Sequence, residues 1–320
     1  LVYVADMGLW TNGSKLNSYA DDTVSSFGSA NEDDVITKLE SEAVNVLEFM
    51  ASNSLVANSK KTGFLLIRGG KQTPLRSLVV GGERVDEQPV HRILGVQVSN
   101  KLTWDSHISD ITSSLNQRVG ALRRLSYHVP RGFLPQVTTS TVIAKARYCL
   151  GVYGHLRIRE EDPQNGKFHD MQIVINKALR IAAGKTLADR ISNKELYDSL
   201  NVLSMNQYSA VDKVSLAWMS LKDPTLPTNE FFNIPTGIQE RASRSQVNDD
   251  LCQSAVTTVS QSNLPFTAIK VWNKCDVGQI RSTVQTHRKA PKSVIKKFAK
   301  SLPSGGGNQQ SQVNCARHEI

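Results

Sequence analysis

The sequence predicts an α+β segment over residues 1–100 followed by a mostly α region, and three observations carry that division. Before residue 100 the apolar residues fall in short runs separated by Gly, Asn and Pro turn signals, the pattern of hairpin strands. From Asp105 onward they recur at three- and four-residue steps, the stripe of amphipathic helices. Charge also changes along the chain: residues 1–62 hold nine acids against four bases, whereas the whole chain carries a net +9.

Leu1 to Val4 reads as an opening strand, and a chain that begins in this way without Met is expected to be a piece of a longer polypeptide. After the turn cluster Thr11-Asn12-Gly13-Ser14, Leu16–Tyr19 and Thr23–Phe27 read as two strands flanking Ala20-Asp21-Asp22, a hairpin with two carboxylates at its tip. Val35, Ile36, Leu39, Ala43, Val46, Leu47 and Met50 then mark a helix from Asp33 to about Asn53, with Asn31 and Asp34 as its start signal. The period returns to that of strands at Phe64–Ile67, Ser77–Val80, Arg84-Val85 and His91–Val98, with turns at Gly69-Gly70, Pro74 and Gly81-Gly82, consistent with an antiparallel meander.

Beyond Trp104 a long helix opens near Asp105 and carries Ile108, Ile111, Leu115, Val119, Leu122 and Leu125 on one face. Further helices are expected at about 136–150, 169–183, 193–200 and 206–221. Residues 223–264 are rich in Pro, Ser, Asn and Gln and read as a polar linker. Residues 265–302 form a small basic module with Trp272 as its core anchor and a helix from Pro291, and 303–320 a disordered tail.

The 320 residues, 39% hydrophobic and 21% charged, supply a core for two or three domains and exclude disorder throughout. No apolar run reaches the roughly 20 residues of a membrane span, and no signal peptide opens the chain, so a soluble intracellular protein with no membrane partner is expected. Cys149, Cys252, Cys275 and Cys315 form no CxxC pair and no zinc spacing with the histidines.

Adjacent carboxylates at a tight turn repel each other unless water or a cation separates them. Mg²⁺ (or Mn²⁺) fits such a pair, because it takes carboxylate oxygens and completes its octahedron with water and substrate phosphates. An Asp-Asp in a solvated turn is equally an ordinary surface feature. From Leu115 to Arg159 stand eight Lys/Arg and no acid. A helix that packs its apolar face inward while Arg118, Arg123 and Arg124 face out, with Arg131 beyond it, would track phosphates; the bland alternative is a solvated basic face. Phe266–Ser301 holds nine bases against Asp276 alone.

Tyr19-Ala20-Asp21-Asp22-Thr23, the following helix, Asn58-Ser59-Lys60-Lys61-Thr62 leading into Phe64-Leu65-Leu66-Ile67, and Ile93-Leu94-Gly95-Val96 resemble the later palm motifs of reverse transcriptases. Leu102-Thr103-Trp104-Asp105-Ser106-His107-Ile108, Tyr148-Cys149, Asn176-Lys177-Ala178-Leu179-Arg180-Ile181 and Ala268-Ile269-Lys270-Val271-Trp272-Asn273 narrow the resemblance to non-LTR, LINE-like retrotransposon polymerases of the jockey type, over nearly all of residues 1–302.

The resemblance implies that residues 1–100 are the C-terminal part of a polymerase palm, 101–160 a basic thumb-like helical region and 161–222 a helical C-terminal region. It implies two-metal nucleotidyl transfer from a dNTP to a DNA primer 3′-hydroxyl on an RNA template, in a ribonucleoprotein of the nucleus or cytoplasm. Asp21 would be a metal ligand, Asp22 would assist it, Tyr19 and Ala20 would lie near the primer end, and Lys61 would help neutralise departing pyrophosphate. Leu94 and Gly95 would form the turn that grips the primer. The family's other catalytic aspartate and its fingers precede the matching segment. Asp6, in Tyr3-Val4-Ala5-Asp6-Met7, matches the segment just before the hairpin and not that ligand. The 320-residue chain alone is therefore expected to be inactive. The rival reading is a non-catalytic nucleic-acid-binding remnant. An endonuclease would need a His/Asp/Glu/Asn constellation that the sequence does not display.

Overall fold

A computed structural model of the chain describes residues 4–58, 61–68, 74–155, 166–232, 264–272, 280, 284 and 290–303. It divides into two compact units, Leu1–His107 and Ile108–Ile320. The architecture is mixed α+β, with short antiparallel strand pairs first and helices after them.

Among its described residues the first unit contains three antiparallel hairpins and one long helix. Strands β1 (Lys15–Tyr19) and β2 (Asp22–Ser26) pair from Lys15 opposite Ser26 to Tyr19 opposite Asp22. Helix α1 (Glu32–Ser52) starts where Asn31, in extended conformation, accepts the Asp33 N–H on its side chain at 3.1 Å. That contact satisfies one of the orphan donors of the first turn, and Glu32, Asp33 and Asp34 place negative charge at the positive end of the helix dipole.

Strands β3 (Ser77–Val80) and β4 (Glu83–Asp86) are joined at Gly81-Gly82, with φ of 58° and 83°. Both residues occupy the left-handed region that a two-residue hairpin turn demands and glycine supplies at least cost. Val35 of α1, Leu78 of β3, and Phe64 and Leu66 of the segment before β3 meet in a small core. Beside it Arg68 closes an ion-paired bridge: Nη2 donates to Glu87 Oε2 at 2.9 Å and Nε to Glu32 Oε1 at 2.9 Å, while Glu87 also accepts the Arg76 N–H at 3.0 Å. The Glu87 side chain is fully buried, so the paired guanidinium is what makes its charge tolerable there. The two carboxylates in turn raise the Arg68 pKa above its ordinary value, the Glu87 hydrogen bond contributing most.

Two expectations for this unit are corrected. His91–Val98 is not one strand but two, β5 (Val90–Ile93) and β6 (Val96–Ser99), because Leu94 and Gly95 take positive φ of 47° and 82° and reverse the chain. The expected meander is likewise two separate two-stranded sheets, β3–β4 and β5–β6, and Phe64–Ile67 contributes only an isolated bridge from Phe64 to Glu87. Leu1, Val2 and Tyr3 of the expected opening strand, and the turn Gly69-Gly70, lie outside the described residues.

Helix α2 (Asp105–Leu125) begins as expected at Asp105, and Ile108, Ile111, Leu115 and Leu122 are its buried stripe. The helix expected at 136–150 is interrupted. It comprises α3 (Leu134–Thr138), a π-turn (Thr139–Ile143) and α4 (Ala144–Arg147), then a break before α5 (Leu150–Tyr153). Hydroxyls that bond back four residues, Thr139 to Pro135 O at 2.9 Å and Thr141 to Val137 O at 2.6 Å, compete with the ladder and favour the wide turn. The break falls where Tyr148 is extended and Cys149 is left-handed at φ 54°.

Helices α6 (Gly166–Ala182), α7 (Asn193–Ser199) and α8 (Met205–Lys222) follow. A buried polar chain links all three: Tyr197 Oη donates to Asn176 Oδ1 at 2.6 Å, Gln172 Nε2 to the same oxygen at 2.9 Å, and the Met205 N–H to Gln172 Oε1 at 2.8 Å. Ser192 and Ser204 open α7 and α8 with capping boxes completed by Glu195 and Gln207.

Helices α9 (Leu264–Trp272) and α10 (Lys292–Lys300) pack on α8. Ala210, Val214, Ala217 and Trp218 of α8 share one core with Val271, Trp272 and Ile295, and Trp272 is 2% exposed in it. Trp272 is thus a core anchor, but of a core that residues 265–302 build jointly with α8 and not of a module standing by itself. The C-terminal end is tied down as well: Gln207 Nε2 donates to Leu302 O at 3.1 Å and Asn206 Nδ2 to Pro303 O at 2.8 Å. Residues 233–263 of the expected linker and 304–320 of the expected tail lie outside the described residues. Among the described residues no helix is long and apolar enough to cross a membrane.

Candidate functional site

The aspartate hairpin is built by the shortest connection two antiparallel strands allow. Tyr19 and Asp22 close the ladder, so the turn consists of Ala20 and Asp21, and Asp22 is the first residue of β2. The pair sits at the tip as expected, with one member in the turn and the other in the strand. Tyr19, Ala20, Asp21 and Asp22 are all exposed, and the Tyr19 ring is 70% exposed. Ala20 adopts φ 56°, a left-handed conformation that disfavours any residue with a Cβ.

Among the described residues neither aspartate has an ion pair or a side-chain hydrogen bond. Two carboxylates at adjacent positions without a countercharge form an anionic point that a divalent cation can bridge. They supply one side of such a site only: among the described residues no group of three His, Cys, Asp or Glu side chains converges where a metal could sit.

Lys61 is exposed, in a short turn where its N–H donates to Asn58 O at 3.0 Å, and no ion pair joins it to Asp21 or Asp22 among the described residues. Leu94, 43% exposed, and Gly95 form the β5–β6 turn. Tyr19, Ala20, Asp21 and Asp22 are therefore brought together by one hairpin, whereas Lys61 and the Leu94-Gly95 turn stand on separate elements of the same unit.

In the second unit Arg118, Arg123, Arg124 and Arg131 are exposed. They differ in what they do. Arg118 Nη1 donates to Thr141 O at 2.8 Å and fastens α2 to the π-turn, so part of its guanidinium is already spent on the protein. Arg118 thus faces out as expected while also holding the protein's own backbone. Arg123 and Arg124 occupy the last turn of α2, where cations also oppose the negative end of its dipole. Arg147, counted in sequence only as one of the eight bases, pairs with Asp212 Oδ1 at 3.1 Å and lies over the Tyr208 ring at 4.2 Å.

One chemically distinctive residue escaped the sequence reading. Lys213 on α8 is buried, its Nζ donating to Gly154 O at 2.7 Å and Ser209 Oγ at 2.8 Å. Gly154 permits this approach, since a Cβ there would meet Leu150 O at 2.4 Å and Ser209 Oγ at 2.7 Å. Burial pushes the Lys213 amine down to about 7, against the opposing pull of Asp212, whose own carboxyl is raised by burial. The only signal available in sequence is the row Ser209, Lys213 and Ala217 at four-residue steps, which aligns Lys213 with small residues on a packed face.

No family model, curated protein or solved structure matches the chain.

Proposed function

We propose that this chain is the C-terminal part of an RNA-directed DNA polymerase of the non-LTR retrotransposon type. The observation that carries the reading is the hairpin tip: Asp21 in a two-residue turn and Asp22 directly after it, both exposed and without a countercharge among the described residues. In the intact enzyme Asp21, with Asp22 assisting and a third carboxylate that no described residue supplies, would hold Mg²⁺ or Mn²⁺. The metals would lower the pKa of the primer 3′-hydroxyl and stabilise the leaving oxygen as the dNTP α-phosphate is attacked. Lys61 would neutralise the departing pyrophosphate, Tyr19, Ala20, Leu94 and Gly95 would border the primer end, and the basic second unit would hold the RNA template and DNA primer by their phosphates.

Primer extension tests this. The chain by itself is expected to give no product, and the chain joined to the polypeptide encoded immediately upstream of Leu1 is expected to extend a primer on RNA in Mg²⁺, with the activity lost in Asp21→Ala. A second reading, a non-catalytic nucleic-acid-binding remnant, is favoured by the two-carboxylate limit of the metal site. It predicts binding without extension in both polypeptides.

A further inference from the structure

The connection between α2 and α3 carries two aromatic rings in solvent, Tyr127 at 80% and Phe133 at 58% exposure. Both sit on turns fixed by the main chain: the Tyr127 N–H donates to Arg124 O at 3.3 Å, Val129 N–H to Leu125 O at 2.9 Å and Phe133 N–H to Pro130 O at 3.0 Å. Exposed Arg123, Arg124 and Arg131 stand among them in the chain.

A second loop meets the first at Arg131. The Arg131 guanidinium lies so close over Gly184 that a Cβ there would meet Nη1 at 3.5 Å. Lys185, next to Gly184 in the loop after α6, is exposed, and Leu187, at 82% exposure, and exposed Arg190 follow it in the same loop. Asp189 is the one acid in residues 123–133 and 183–190. Its carboxylate is engaged locally, accepting the Thr186 N–H at 2.6 Å and the Thr186 hydroxyl at 2.8 Å.

We propose that these two loops bind single-stranded nucleic acid, with unpaired bases stacked on Tyr127 and Phe133 and phosphates met by Arg124, Arg131 and Lys185. Flat π-faces interleaved with cations match a strand whose bases are free to splay onto them, whereas a duplex keeps its bases stacked inside and offers phosphates alone. An acidic peptide would use the cations and leave the rings idle. The proposal deepens the nucleic-acid half of the reading above. It does not depend on the aspartate hairpin, so failure of primer extension leaves it standing and its own failure leaves the polymerase reading to be judged by extension.

The test is fluorescence anisotropy of the full 320-residue chain with labelled oligo(U), a duplex of equal length, and heparin. Stacking contributes about 1–3 kcal/mol per base, so Tyr127→Ala and Phe133→Ala are each expected to weaken oligo(U) binding about tenfold. Duplex and heparin binding should be unchanged, and Tyr127→Phe should retain affinity. Arg124→Gln should weaken all three and reduce the slope of log K against log salt for oligo(U) by about 0.7. Because both rings are exposed, an unaltered melting curve is expected for each variant. Oligo(U) affinity unchanged in both ring variants, heparin affinity falling in parallel with it, or duplex bound as tightly as oligo(U) would overturn the proposal.

Discussion

Lys213 illustrates a residue whose chemistry emerges only from packing. In the folded chain its amine meets Gly154 O and Ser209 Oγ and titrates at about 7, whereas an ordinary lysine titrates at 10.5. Between those values the unfolded chain holds a proton that the folded one has released, so unfolding takes up a proton and stability rises with pH. Below about 7 the amine is protonated in both states, and the folded protein bears the full cost of the buried charge. Chemical denaturation from pH 6 to 10 is therefore expected to show stability climbing through pH 7 and above, and Lys213→Met to flatten that rise while stabilising the protein at neutral pH. Asp21 and Asp22 are the opposite case. Their exposure at a turn follows from Tyr-Ala-Asp-Asp between two short alternating runs, and the sequence sufficed to place them.

At the scale of elements, the bounds of the two helices with long apolar stripes, α1, which Asn31 caps, and α2, were legible nearly to the residue. The strands were less so. Leu94-Gly95 reverses the chain within a run of apolar residues because both adopt positive φ; periodicity reads that run as one strand, and only the resemblance marked a turn there. The π-turn at Thr139–Ile143 was invisible for a related reason, since Thr and Ser continue a helical pattern while their hydroxyls compete with its ladder. Two element-scale outcomes are expected. Gly81→Ala forces a Cβ into φ 58° and to 3.0 Å from Leu47 Cδ1, and thermal melting should show a loss of about 1–2 kcal/mol. Trp272→Ala empties the shared core of α8, α9 and α10 and should cost about 3–5 kcal/mol. Amide hydrogen exchange should then report loss of protection in α8 as well as in α9, because the described residues of the C-terminal block share one core with α8.

For the whole molecule, an acidic N-terminal stretch carrying the aspartate hairpin is followed by a basic helical unit, and the division into two units at His107 lies close to the change of pattern near residue 100. Polyanion affinity is therefore expected to reside in the second unit, and the catalysis proposed above would use the hairpin of the first. Tertiary sharing was the part that composition concealed: the basic 265–302 block reads as separate because a polar stretch precedes it, yet it supplies seven of the eleven buried residues in the core it shares with α8. The most direct test of the proposed function is primer extension on an RNA template in Mg²⁺ by a longer polypeptide that carries this chain behind the fingers and early palm the proposal requires, comparing the native hairpin with Asp21→Asn. The account predicts extension by the native form and a loss of at least about a hundredfold in the variant, which preserves shape but removes the charge that would hold the metal. Equal extension by both forms would contradict it.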